Sequence, residues 1–109
     1  MIELYEAEIV YEQFQKSKFQ TLVKSLLKYA ANYSQLRIEW LLSDIETRIE
    51  IDEERTHAHN SLISACNALA RNMKESGEDA SWRVKIGADR KDIGDFGILL
   101  VAVMGIKAR

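Results

Sequence analysis

The sequence predicts an all-α fold, an up-and-down bundle of four or five helices in a single domain spanning residues 1–109. Three observations carry that expectation. Proline is absent, the first of the five glycines is Gly77, and apolar residues recur at steps of three and four. The two strongest helix breakers are therefore missing from residues 1–76. A chain of 109 residues, 47% hydrophobic and 29% charged, suits one domain with its own core rather than a disordered segment.

Leu4, Ala7, Tyr11 and Phe14 share one stripe and define a first helix at about residues 3–15. Ser17 and Gln20 then have the spacing of a capping box. Phe19, Leu22, Val23, Leu26, Leu27 and Ala30 trace the apolar face of a second helix ending near Ala31, with Lys18, Lys24 and Lys28 on its solvent side. Leu36, Trp40 and Leu41 suggest a separate short turn. Leu36, Ile38 and Trp40 also alternate as a strand would, but no second strand is available to pair with them.

Ser43 and Glu46 form a second box-like pair ahead of the third helix. Its stripe runs through Ile45, Ile49, Asp52, Thr56, His59, Ile63, Cys66, Ala70 and Met73 to a glycine cap at Gly77. Unbroken, it would be ~50 Å long, so a break at Asp52, a good N-cap residue, is the alternative. Residues 77–92 read as a loop whose Trp82, Val84 and Ile86 form a lid, either extended or in one helical turn. The last helix, at about residues 92–107, is apolar nearly all round through Ile98, Leu99, Leu100, Val101 and Val103. That pattern suits a central buried helix or one used in self-association, with Gly97, Val101 and Gly105 as its narrow side. The third and last helices are expected at the centre.

The net charge of −2 is unevenly spread: residues 1–15 carry four glutamates and no base, residues 16–42 carry five bases and one acid, and residues 43–55 six acids and two arginines. Alternating blocks of this kind pair neighbouring helices. Lys16, Lys18, Lys24, Lys28 and Arg37 could touch phosphates, but the acidic total and the lack of a recognisable nucleic-acid-binding motif argue against nucleic acid. The acidic N-terminus does not resemble a signal peptide, and the apolar run Ile93–Ile106, interrupted by Asp95, is shorter than the ~20 residues that cross a bilayer. With the single cysteine Cys66, these features point to a cytoplasmic protein without membrane contact.

Chemistry is concentrated in the polar middle of the third helix, where Arg48, Asp52, Arg55 and His59 follow at steps of four, three and four. Facing inward, such a cluster could bind an anion or position a water, with Asp52, Arg55 and His59 as catalytic candidates. Facing outward, it is a solvated ladder. Asp89-Arg90-Lys91-Asp92 could cap the last helix. It could also supply a buried pair, Arg90 with Asp52 or Asp89 with Arg55, whose one-sided removal would cost about 3–5 kcal/mol. Glu54 and His57 match one Glu-x-x-His unit of di-iron bundles, but the second unit is missing, so neither metal nor cofactor is expected. Nucleophile elbow, phosphate loop and dinucleotide fingerprint are likewise missing.

Arg55-Thr56-His57-Ala58-His59 resembles the arginine-to-histidine motif of the helical higher-eukaryote-and-prokaryote nucleotide-binding ribonucleases. It departs from them in a shorter spacing and in Thr56 standing where a polar amide or acid is usual. Asp52-Glu53-Glu54-Arg55-Thr56-His57-Ala58-His59-Asn60 and Asp89-Arg90-Lys91-Asp92-Ile93-Gly94-Asp95-Phe96 resemble a family of small uncharacterised proteins of Gram-positive bacteria and their phages or mobile elements. The likeness covers residues 35–109. It implies an all-helical fold without a defined activity, and places Arg55, His59, Asn60, Asp89 and Arg90 in one constellation. The expected function is a non-catalytic interaction or accessory module, binding another protein or forming a homodimer through the last helix; the alternative is a small hydrolase or ribonuclease. An exposed apolar patch would mark the first, and a concave pocket at Arg55 and His59 the second.

Overall fold

The computed structural model describes residues 2–109 and contains five helices: α1 (Leu4–Lys16), α2 (Gln20–Leu42), α3 (Ile45–Glu75), α4 (Trp82–Ile86) and α5 (Arg90–Lys107). α1 opens on a reciprocal capping box between Glu3 and Glu6. The Ser17–Gln20 pair works differently from the expected box. Ser17 Oγ accepts from the Phe19 amide at 3.1 Å, while Gln20 Nε2 donates to the carbonyls of Ser17 and Phe14 at 2.6 and 3.0 Å, tying the end of α1 to the start of α2.

α2 does not stop near Ala31. Tyr33, Ser34 and Leu36 continue its buried face without a breaker, so the expected separate turn at Leu36–Leu41 is its last stretch. The cap of α3 falls one residue later than the Ser43–Glu46 spacing suggested: Asp44 accepts from the Thr47 amide at 2.8 Å, and Ser43 closes α2 instead. α3 then runs 31 residues without the alternative break at Asp52, which is exposed and bonded to Arg55 one turn on. It ends in a Schellman motif, with Gly77 at φ 86° and the Glu78 amide donating to the Met73 carbonyl at 2.8 Å.

The segment read as a loop contains α4, which carries the lid into the core. Trp82 lies edge-on to Phe14 with ring centroids 4.9 Å apart, and stacks on Phe96 at 6.2 Å. Ile86 is buried as well, whereas Val84, expected in the lid, faces solvent. α5 begins at Arg90, two residues before the expected start. It runs antiparallel to α2, bringing Gly97 to Ala30, Gly94 to Tyr33 and Asp95 to Arg37. The core combines Val10 and Phe14 of α1, Val23 and Leu26 of α2, Leu62, Cys66 and Leu69 of α3, and Ile93, Phe96 and Leu100 of α5.

The central pair is α2 and α5 rather than α3 and α5. α2 packs most extensively, against both α3 and α5, while α5 also receives α1. α3 cannot be central along its whole length because nothing before Ala58 in it is buried: no buried residue lies from Arg37 to His57. Beyond the level at which α5 starts, α2 and α3 continue as a two-helix hairpin, giving the molecule its 47 × 30 × 25 Å extents. No helix of the described residues is long and apolar enough to cross a membrane.

The narrow side of α5 is Gly94 and Gly97; Gly105 faces open space. A Cβ on Gly94 would stand 2.7 Å from Tyr33 Oη and 3.1 Å from the ring. Glycine to alanine inside a helix ordinarily stabilises by up to about 1 kcal/mol. For Gly94→Ala we expect the opposite sign, a loss of about 1–3 kcal/mol in urea unfolding, because the ring must move. A gain would show that Tyr33 yields freely.

Candidate functional site

The base of the hairpin is where α5 begins against α2 and α3, and here the structure gathers part of the polar cluster. His59 is half-buried, with its ring 4.6 Å from Tyr33 and its Nε2 2.7 Å from the Arg90 carbonyl oxygen. A carbonyl only accepts, so Nε2 carries the proton and Nδ1 is left as an acceptor. Burial, reinforced by the charges of Arg90, Arg55 and Arg37, holds His59 below the usual histidine range and outweighs the opposing effect of that hydrogen bond. His59 is therefore neutral near pH 7.

Arg55 donates through Nη2 to Asp52 at 3.0 Å, and its guanidinium lies 4.6 Å from the Trp40 ring. Arg48 lies 4.4 Å from the same ring. Two guanidiniums from positions seven residues apart on α3 thus reach the same indole. Arg48 also closes the end of α2, donating through Nε to the Trp40 carbonyl at 2.8 Å and through Nη2 to that of Leu41 at 3.1 Å. The Trp40 carbonyl also accepts from the Ser43 amide at 3.3 Å, so the arginine reinforces that cap, satisfies the Leu41 carbonyl and complements the negative helix end.

Neither expected interhelical pair forms: Arg90 and Asp89 are exposed, and Asp52 takes Arg55 from its own helix. Arg90 enters the cluster through its backbone, and Asp89 is the N-cap of α5 without a side-chain cap bond. Asn60 turns to the other side of α3, where it lines a concavity with Glu50, Glu53, Glu54 and His57. The constellation is thus split by the 100° step between helical neighbours: His59 points inward while Asn60 and His57 point out. Among the described residues no group of three histidine, cysteine or acidic side chains could hold a metal ion. Cys66 is buried, and burial pushes its thiol up to about 12. We expect it to react with an aromatic disulfide reagent only as fast as the protein unfolds; rapid labelling of the native protein would contradict this burial.

At the base of the hairpin α5 is joined to α2 by an ion pair of Arg37 with Asp95, at 2.8 Å, with Lys91 on the other carboxylate oxygen at 3.4 Å; farther along, Lys107 of α5 pairs with Glu8 and Glu12 of α1. In the sequence Arg37 belongs to a basic stretch and Asp95 stands out only as an interruption of an apolar run. A lone carboxylate inside an apolar helix was the available signal, since a charge there needs a partner. Burial pushes the Asp95 carboxyl up, but the hydrogen bond and charge of Arg37, with Lys91, outweigh it and hold the group below its ordinary 3.8. The pair's stabilisation is therefore complete above that value and is lost as pH falls through the lower folded one. We expect Asp95→Asn to be less stable than wild type by roughly 1.5–3 kcal/mol at pH 7. In urea titrations the gap should narrow at pH 3; an unchanged gap would mean the carboxylate charge is not its source.

The second feature lies farther out. Ile38, Leu41 and Leu42 at the end of α2 and Ile45 and Ile49 at the start of α3 are all exposed, Leu42 to 83% and Ile45 to 74%. Ile45 and Ile49 line an open cleft of about 350 Å³ with Trp40, Arg48 and Asp52. The apolar residues of α5, by contrast, are buried or half-buried along most of the helix, with Ile106 its exposed large side chain. The free apolar surface is thus on the hairpin tip rather than on the last helix.

In comparisons with models of known families, with curated proteins and with solved structures, the chain matches none.

Proposed function

We propose that this chain is a non-catalytic protein-interaction module whose docking surface is the hairpin tip, and that the occupant is an amphipathic helix with basic flanks supplied by another protein. The observation that carries the reading is the tip itself: from Arg37 to His57 no residue is buried, yet Ile38, Leu41, Leu42, Ile45 and Ile49 stand exposed together. Clustered exposed apolar side chains with a charged rim are the usual mark of a docking surface.

Charge favours a basic partner. Glu39, Asp44, Glu46, Glu50 and Glu53 are exposed around the tip, whereas Arg48 is engaged with the end of α2 and with Trp40. Two acidic tips repel each other, and an acidic tip repels a nucleic-acid backbone. A reducing compartment such as the cytoplasm suits the single Cys66. Hydrolysis finds less support: Asp52 and His59 are seven residues apart, about 10.5 Å along the helix axis, beyond direct hydrogen bonding. Each is also already engaged, by Arg55 and by the Arg90 carbonyl.

The test uses two designed helical peptides, one of leucine and lysine and one of leucine and glutamate, labelled for fluorescence anisotropy. The leucine–lysine helix should bind, and binding should weaken as salt rises. The double variant Ile45→Asp/Ile49→Asp should bind at least tenfold more weakly at unchanged thermal stability, since both side chains are exposed. Equal binding by the variant, or preference for the acidic peptide, would overturn the reading. A dimeric mass in light scattering that the double variant abolishes would replace the basic helix with a second copy of the chain.

A further inference from the structure

At the base of the hairpin a cavity of about 310 Å³ is bounded by side chains of three helices, among them Tyr33, Arg37 and Trp40 of α2, Arg55 and His59 of α3 and Lys91 of α5. It adjoins the docking surface at Trp40 and Leu41, while its cations lie outside that surface. Three cations face it, and two carboxylates answer them: Asp95 holds Arg37 and Lys91, and Asp52 holds Arg55. The wall therefore carries an excess of positive charge, and Arg55 and Arg37, with Arg90, disfavour the protonated form of His59.

Arg55 also has donor capacity to spare. Its Nε is buried without a hydrogen-bond partner, and Asp52 engages it only through Nη2, as half of an exposed pair one turn apart. Such a surface pair is weak and readily exchanged. Arg37 uses Nη1 on Asp95, and a guanidinium has five N–H donors, so further donors remain on both arginines. Lys91 is 71% exposed and meets Asp95 at 3.4 Å, a surface pair it can exchange for a ligand at the cavity mouth. Donors approaching from three helices suit a tetrahedral oxyanion better than a planar carboxylate, which presents its oxygens in one plane. Arginine with a mobile lysine is the usual equipment for binding phosphate.

We propose that this cavity binds a phosphate monoester, its phosphoryl oxygens held by Arg37, Arg55 and Lys91 and its organic group directed out of the open mouth. The inference differs from the docking surface in the groups that hold the ligand: cations of three helices, with Leu41 only an apolar part of the wall.

The two histidines of the chain, His57 and His59, provide the readout. His59 lines the cavity, and His57 lies exposed on the other side of α3 as an internal reference. Ring proton resonances would be followed by NMR at constant ionic strength during additions of inorganic phosphate, glycerol phosphate or sodium chloride. Both phosphates should give a saturable shift of the His59 signals and raise its titration midpoint, because a bound anion favours imidazolium. His57 should stay still, and chloride should reproduce neither effect.

Arg55→Gln should weaken binding at least tenfold with the helical circular dichroism retained. Lys91→Gln, at a largely exposed position that folding does not depend on, should weaken it several-fold. Equal shifts of the two histidines, an equal effect of chloride, or undiminished binding by Lys91→Gln would overturn the site. Binding of inorganic phosphate but not of glycerol phosphate would overturn the monoester assignment.

Discussion

α5 is 18 residues long, whereas α2 and α3 run for 23 and 31, so helices packed side by side cannot finish at one level. At 1.5 Å per residue the lengths are about 27, 35 and 47 Å. The shortfall falls at one end, because the Phe14–Trp82–Phe96 cluster and the core around it fix α5 in place along its neighbours. Trp82 belongs to α4, which brings the chain back along α3 and sets where α5 starts. The His59–Arg90 contact marks that level, and beyond it the hairpin has no third helix.

From this one mismatch come both surface features. Above the start of α5, residues that would have been core in a longer bundle remain uncovered, which leaves Leu41, Ile45 and Ile49 in solvent. At the start of α5, the gap between three helices is too polar to close as core and leaves the cavity lined by Arg37, Arg55, His59 and Lys91. The hairpin is held instead by directional contacts: Asp44 caps α3, Arg48 donates to carbonyls at the end of α2, and the Trp40 ring meets the guanidiniums of both Arg48 and Arg55. These contacts define a helical end without excluding water from it.

The polar middle of α3, the part of the sequence that most invited a catalytic reading, is divided by the same geometry. Arg48 serves the hairpin end, Arg55 stacks on Trp40 beside the cavity, His59 anchors the first turn of α5, and Asp52 stays at the surface. A helical spacing of three and four places residues on one side of a helix, but along its axis they are spread over about 16 Å between Arg48 and His59. Side chains so distributed meet different partners. The residues that complete the cavity, Tyr33, Arg37, Trp40 and Lys91, come from other helices and share no spacing with them.

Local physical chemistry carried by the sequence was enough to determine the all-helical fold: no proline, glycines confined to residue 77 onward, apolar stripes at helical period and a glycine stop at Gly77. It also marked Trp82 and Ile86 for the core and Cys66 for burial. Continuity at Ala31 and Asp52 was not so determined, because Asp and the mixed 31–41 segment are tolerated within helices as well as at their ends, and packing decides between the two. Tertiary structure alone decided that α2 rather than α3 is central, that Asp95 pairs with Arg37, and that free apolar surface lies on the hairpin tip instead of α5. Each depends on where helices of unequal length overlap, and periodicity along one helix holds no information about the level at which its neighbour ends.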